Sequence, residues 1–476
     1  MSAAAALSVA AGLAGCGSTT YFDGRVLPPS GLANRVLIAI QNPGAFSKGA
    51  LQIVDAYYDI RNSYNDKTPS FSISGYAGAL PISIQNMPEE QFGAVYGSGD
   101  GSLAFINYQK ETASSTASGL SGLSSGVFVT RNQQYIFAAS QTSHVLTVID
   151  KSSLNPGSFY FSLPGVYRVS VNPGGTAALA FVQNSNYVYY PIKLTAAQSI
   201  TYSGGPNTWP KAAVDCEPLN APGWCLFQAQ SPDSTDSYGY TYGAPLSFDR
   251  PVKAIFSADG NTAYVLNCGP ECGGGTASVS LMPVAPLIFL PGQGSGLMPK
   301  TGAIPNITTP GGATNALQAS STLYVTGQEM MKDGYFGGHL TLVNLANNTA
   351  GAPIAISDGE PGMPSRMILA DDNTLWIGMV QCTNGERYNN GQAYGCLTMV
   401  NTTTNTVSLL ESYLGDLTGI AAVSGLHKIY VAEGGQVYIY STVDGSTIDN
   451  QYVTVTGTAY DVAYMDAVSD GDNTVY

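Results

Sequence analysis

The side chains best suited to chemistry are scarce in this 476-residue chain, which has seven cysteines and three histidines. A Ser/His/Asp arrangement needs a histidine beside its nucleophile. His144 and His339 stand at the edges of alternating apolar segments that read as strands lying away from any central channel, and His427 stands in a short turn. No nucleophile elbow, phosphate-binding loop or zinc signature occurs. The cysteines lack CxxC spacing and have no histidine close in sequence, so no metal and no cofactor is expected. Glu89-Glu90 and Asp371-Asp372 fall in turns, where solvation accounts for them. Carboxylates gathered from separated segments are the remaining route to metal or lactone chemistry.

The cysteines speak instead of location. Residues 2–15 are almost all small and apolar. The run is too short to span a bilayer but has the length of a signal-peptide core. It ends in Leu13-Ala14-Gly15-Cys16, which resembles the lipobox of bacterial lipoproteins. The resemblance implies a signal peptide over 1–15, a diacylglycerol on Cys16 and a lipidated tether over 16–33. Gly17 and Ser18, with no Asp after the cysteine, imply the outer membrane of a cell envelope. The other six cysteines form three local pairs, Cys216 with Cys225, Cys268 with Cys272 and Cys382 with Cys396. Such pairs suit disulfides in an oxidising compartment.

Only 11% of residues are charged, against about 25% in an average soluble protein. The net charge of −14 repels phosphate backbones, which argues against nucleic-acid binding. The 55 glycines and 27 prolines imply many turns.

A phrase such as AIFSADGNTAYVLNC, from Ala254, recurs: strand, tight turn, strand, then a third strand. Third strands begin near Leu51, Leu103, Leu146, Val188, Ser278, Leu340, Leu397 and Val437. Alternation of apolar and polar residues, with no amphipathic helix, predicts an all-β propeller of eight blades over 34–476. Seven blades follow instead if the unit around Leu103 is an insertion. Tyr264-Val265-Leu266-Asn267, Tyr324-Val325-Thr326-Gly327 and Tyr430-Val431-Ala432-Glu433 resemble the YVTN-repeat propellers, which are related in shape to lactonase-like propellers. The resemblance implies the fold and leaves the activity open. The first unit lacks an innermost strand, and Ala459 to Met465 is a spare one, so pairing it with Asn34 to Ile40 would close the ring and remove two bare edges. The final residues 473–476 have no evident place.

Short turns are expected on one face and long loops on the other, here termed the first face. Those long loops start at Gly327 and Thr383, and an insertion spans about 205–248. All three cysteine pairs are expected on this first face. Its aromatics, Tyr238, Tyr240, Tyr242, Tyr335, Phe336 and Tyr388, suit recognition of glycans or proteins, or pack the loops onto the ring. Arg168, Lys253 and Arg366, with Arg250 nearby, fall near the starts of innermost strands. They predict an anion site at the channel mouth or, alternatively, salt bridges between blades. The expected function is a binding or scaffold module for an envelope protein or a polysaccharide. A lactonase-like or lyase-like enzyme at the channel mouth and a self-associating surface subunit are the alternatives.

Overall fold

The computed structural model describes residues 28–42, 48–61, 71–117, 120, 124, 126–152, 157–195, 198, 208–216, 223–293, 298–332, 334–357, 362–380, 382, 395–410, 414–448 and 452–470. They form nine antiparallel sheets, eight of them arranged as the blades of one ring and the ninth a two-stranded ribbon of Ser234–Thr235 and Thr241–Tyr242. From the channel outward, blade 2 is Pro81–Met87, Phe92–Gly97, Ser102–Asn107 and Thr112–Ala117, and blade 3 is Gly126–Val129, Tyr135–Ser140, Val145–Asp150 and Gly157–Ser162. Blade 4 runs Val166–Val171, Ala178–Val182, Val188–Lys193, Trp224–Gln228 and Ala213–Cys216. Blade 5 is Pro251–Phe256, Thr262–Asn267, Ser278–Pro283 and Asn306–Thr308. Blade 6 is Asn315–Ala319, Thr322–Met330 and Phe336–Asn344, edged by Thr349–Ala350 and Ile354–Ala355. Blade 7 is Met363–Ala370, Thr374–Val380, Cys396–Asn401 and Thr406–Leu410, and blade 8 is Leu417–Val423, Lys428–Glu433 and Gln436–Ser441. The unit around Leu103 is thus a full blade.

The recurring turn explains the tight hairpins. Gly260 adopts φ +71°, which glycine alone takes at no cost. The Ser257 hydroxyl bonds Asp259 and accepts from the Thr262 amide at 2.9 Å, so the side chains close the turn. Burial is shared between neighbours: Trp376 and Leu397 of blade 7, for example, pack with Leu417, Ile420 and Val431 of blade 8. Each blade therefore depends on the next one around the ring.

Blade 1 is where the two ends of the chain meet. Its innermost strand is Thr458–Tyr464, paired antiparallel with Arg35–Gln41, and Ala50–Asp55 is the third strand. The expected closure is thus present. Arg35 is 2% exposed and fastens it. Its Nε and Nη2 donate to the two Asp466 oxygens at 3.0 and 2.6 Å, and Nη1 donates to Glu111 of blade 2 at 3.0 Å and to the Tyr108 carbonyl at 2.6 Å. Ser30 donates to the same Glu111 through its amide and its hydroxyl.

Two expectations need correction. The segment after Val188–Lys193 leaves from the face opposite the first. It returns along the blade edge and supplies two further strands of blade 4, in the register Lys193↔Trp224, Ile192↔Cys225 and Cys216↔Cys225. The Cys216–Cys225 disulfide therefore lies toward the opposite face, whereas Cys268–Cys272 and Cys382–Cys396 lie where second strands end, on the first face. The reason is that Trp224-Cys225-Leu226-Phe227 is a buried strand and not a surface loop. Cys16, Tyr388 and residues 473–476 lie outside the described residues.

Truncating Arg35 strands two buried carboxylates. Arg35→Ala is expected to lose about 3–5 kcal/mol, the usual cost of breaking a buried pair from one side. Thermal unfolding of the variant should show a large drop in midpoint. A midpoint within a degree of the parent would show that the closure does not depend on this network.

Candidate functional site

One irregularity recurs on the innermost strands. The register slips by one residue at Ile82, Tyr167, Val252, Ser365, Thr418 and Tyr460. A bulge puts two residues opposite one and re-aims the side chain that follows. The residues that follow are Ser83 in blade 2, Arg168 in blade 4, Lys253 in blade 5, Arg366 in blade 7, Gly419 in blade 8 and Asp461 in blade 1. Gly126 of blade 3, paired with Ala139, and Asn315 of blade 6, paired with Thr326, occupy the matching register without a bulge. One layer of the channel near the first face is thus set by eight equivalent positions.

Charge in that layer is lopsided. The cations come from blades 4, 5 and 7. The one acid, Asp461, lies across the ring in blade 1, buried, and accepts from the backbone amides of Ile84 at 2.7 Å and Val462 at 3.0 Å. Lys253 is 7% exposed and donates from Nζ to Asn315 Oδ1 at 2.7 Å. Asn315 in turn donates to the Ser365 carbonyl at 3.4 Å, which strings blades 5, 6 and 7 together. The Arg168 guanidinium lies 5.8 Å from the Tyr167 ring centroid. Protein surrounds it, yet it keeps some contact with solvent through the channel. Among the described residues, no ion pair involves Arg168 or Lys253.

Their protonation carries the same message. Burial, reinforced by the charges of Arg168 and Arg366, pulls the Lys253 amine well below its ordinary value. Burial and the nearby Arg366 likewise lower Arg168. A carboxylate partner would act in the opposite direction. Arg250, expected nearby, instead donates to the Asn184 carbonyl in the neighbouring blade.

The expected aromatics do not form one surface. Tyr238, Tyr240 and Tyr242 are half-buried against the core shared by blades 4 and 5. The Tyr240 ring meets Phe227 edge-on at 5.0 Å, and burial pushes its phenol up to about 12. Tyr238 donates to the Thr208 carbonyl. Tyr238 and Tyr240 wall a cleft of about 190 Å³ on the flank of the ring, with Tyr190, Gln198 and Leu290. Tyr335 and Phe336 sit instead at the tip of a long hairpin of blade 6, with Tyr335 43% exposed. Packing therefore claims the first three, while Tyr335 and Phe336 stand at the hairpin tip.

Two further groups escaped the sequence. Glu271, between the linked Cys268 and Cys272, accepts from the amide and side chain of Gln328 at 3.0 and 2.8 Å, latching blade 5 to blade 6. On the opposite face Asp371, Asp372 and His427 place ligand atoms within 4.8 Å of one another. Their hydrogen bonds describe a link between blades 7 and 8: His427 Nδ1 lies 2.7 Å from Asp372 and 3.2 Å from Asp371, and Thr442 donates to both acids. In sequence these acids look merely solvated, because the partner histidine lies 55 residues from Asp372.

No protein-family model and no curated protein matches the sequence. Solved structures do match in shape. The dihydro-heme d1 dehydrogenase NirN in complex with DHE superposes with a TM-score of 0.52 at 9% identity, over 92% of this chain and 79% of that one. Apo AztD from Citrobacter koseri gives 0.47 at 11% identity, over 91% and 97%. The periplasmic gluconolactonase of Pseudomonas aeruginosa gives 0.45 at 14% identity, over 90% and 98%. The chain is a β-propeller. At these identities the likeness extends to the fold alone.

The hydrogen bond to Asp372, followed by the charge of Asp371, raises the His427 pKa. A raised histidine favours the folded state fully below the ordinary value of about 6.5, and that contribution fades as pH rises through the higher folded value. NMR titration of His427 should therefore give a midpoint above 6.5, which Asp372→Asn lowers. A midpoint at or below the ordinary value would break the assigned link.

Proposed function

We propose that this chain is a lipid-anchored, extracytoplasmic binding propeller that holds its ligand at the first-face mouth of the channel and does not transform it. The observation that carries this reading is the convergence of Arg168, Lys253 and Arg366 on one bulged layer. Blade-to-blade salt bridges were the plainer expectation, and no described carboxylate pairs with Arg168 or Lys253. Cations held inside a protein with no acid beside them are costly, and sites that retain them are more often functional than structural.

Histidine is the commonest group for moving protons in an active site. The described histidines lie elsewhere. His339 is buried in the third strand of blade 6, His427 is on the opposite face, and His144 precedes the third strand of blade 3. The projecting tip of blade 6, with Tyr335 and Phe336, supplies a rim on which an envelope protein or a polysaccharide carrying the ligand would rest. The lipobox ending at Cys16 supplies the tether, and the disulfides agree with an oxidising compartment.

Mass spectrometry tests both halves. Protein extracted from envelopes in mild detergent should carry a diacylglyceryl mass that Cys16→Ser abolishes, with the variant moving to the soluble fraction. Under native conditions it should retain a small ligand whose mass stays constant on prolonged incubation. A ligand mass that changes with time would make the protein an enzyme, and a ligand-free protein would contradict binding at the mouth.

A further inference from the structure

The channel layer defines what kind of ligand fits. Arg168, Lys253 and Arg366 stand in the same register on blades 4, 5 and 7, with Asn315 of blade 6 between the last two. Lys253 Nζ donates to Asn315 Oδ1 at 2.7 Å, and the Ser365 carbonyl accepts from Asn315 Nδ2 at 3.4 Å and from Arg366 Nη1 at 3.2 Å, so hydrogen bonds link Lys253 to Arg366 through blade 6. The charges of Arg168 and Arg366 both bear on Lys253. On the other side of Arg168 the matching residue is Gly126, where an added Cβ would meet no atom closer than 3.6 Å. The layer thus combines a cationic wall with a neighbouring position that carries no side chain.

We infer that this layer is a binding site for a compact oxyanion bearing two or more negative charges, gripped by the Arg168 and Arg366 guanidinium groups with the Lys253 amine between them. The inference rests on the mouth-binding reading above and adds the class of ligand to it. Guanidinium forks match oxyanions by paired N–H···O bonds, which a spherical anion does not offer. Two arginines satisfy two charges, and Lys253 adds a third on taking up a proton, which a bound anion favours by offsetting the burial and the repulsion that now lower its pKa. Polycarboxylates and tetrahedral oxyanions share this chemistry.

Calorimetry on the full-length protein at fixed ionic strength separates them, with citrate, inorganic phosphate and sulfate as probes and chloride as the reference. At least one oxyanion should bind tenfold or more tighter than chloride. Preference for citrate assigns carboxylates, and preference for phosphate or sulfate assigns a tetrahedral group. Arg168→Gln and Arg366→Gln should each weaken that binding tenfold or more. Arg131→Gln, which alters an exposed cation paired with Glu89 and Asp470, should leave it unchanged. Without anion, Arg168→Gln should melt no lower than the parent, because it removes a repelling charge, so loss of binding is not loss of fold. The inference is overturned if no oxyanion outcompetes chloride, if Arg168→Gln binds as the parent does, or if Arg131→Gln loses as much. It is also overturned if the ligand found by native mass spectrometry is not displaced by any of these anions, in which case the mouth-binding reading still stands.

Discussion

An eight-bladed ring has to close on itself, and Arg35 is where the chain manages it. Left open, the first and last blades would each present a bare sheet edge and an uncovered apolar face. The strand Thr458–Tyr464 covers the edge of Arg35–Gln41, and Arg35 then holds Asp466, Glu111 and the Tyr108 carbonyl from a single buried guanidinium. Asn86 donates to the Tyr464 carbonyl at 2.7 Å, and Asp461 holds the Ile84 amide, so blade 2 is fastened to the same strand. Closure also fixes the angle of every blade about the axis, because each apolar cluster is shared with the next blade. The spacing of the channel cations depends on it in turn.

The inner layer shows how a repeat is put to use. A register slip at the same level in six blades turns one side chain per blade to a common height. Side chains at that height are then free to differ. Some hold the ring, as Asp461 does through backbone amides. Others are small because the blades crowd: a Cβ on Gly419 would come within 2.6 Å of the Asp461 backbone. Three are basic and gathered on one side, where burial and the neighbouring charges disfavour the protonated form of Lys253. A layer built only for stability would set an acid beside Arg168 and Lys253 or replace them with apolar residues.

The legible part of the fold was the part encoded locally. Alternation located all eight third strands, and the missing first strand near Asn34 together with the spare one at Ala459 located the closure. The Arg35–Asp466 pair was not legible, since its members lie 431 residues apart and neither stands in a motif. Arg168, Lys253 and Arg366 could be placed near one mouth but not at one level, because a bulge is a property of pairing and leaves no mark in a single strand. The Cys216 pair was put on the wrong face for a related reason. Trp224-Cys225-Leu226-Phe227 is an apolar run inside a segment whose Gly, Pro and Ser content reads as a loop, although a tryptophan in such a run is itself a sign of burial. Trp224 is fully buried beside Tyr135, Phe159 and Phe289 and donates to Asp150 at 3.0 Å.

What joins the closed ring to its function is the claim that three cations from separate blades share one space inside the channel. Crystals grown in selenate and measured at the selenium absorption edge test that claim directly, because the anion reports its own position. A strong anomalous peak is expected within the channel, in hydrogen-bond contact with Arg168 and Arg366. Peaks confined to the outer surface, or an inner layer in which these side chains point away from one another, would contradict it.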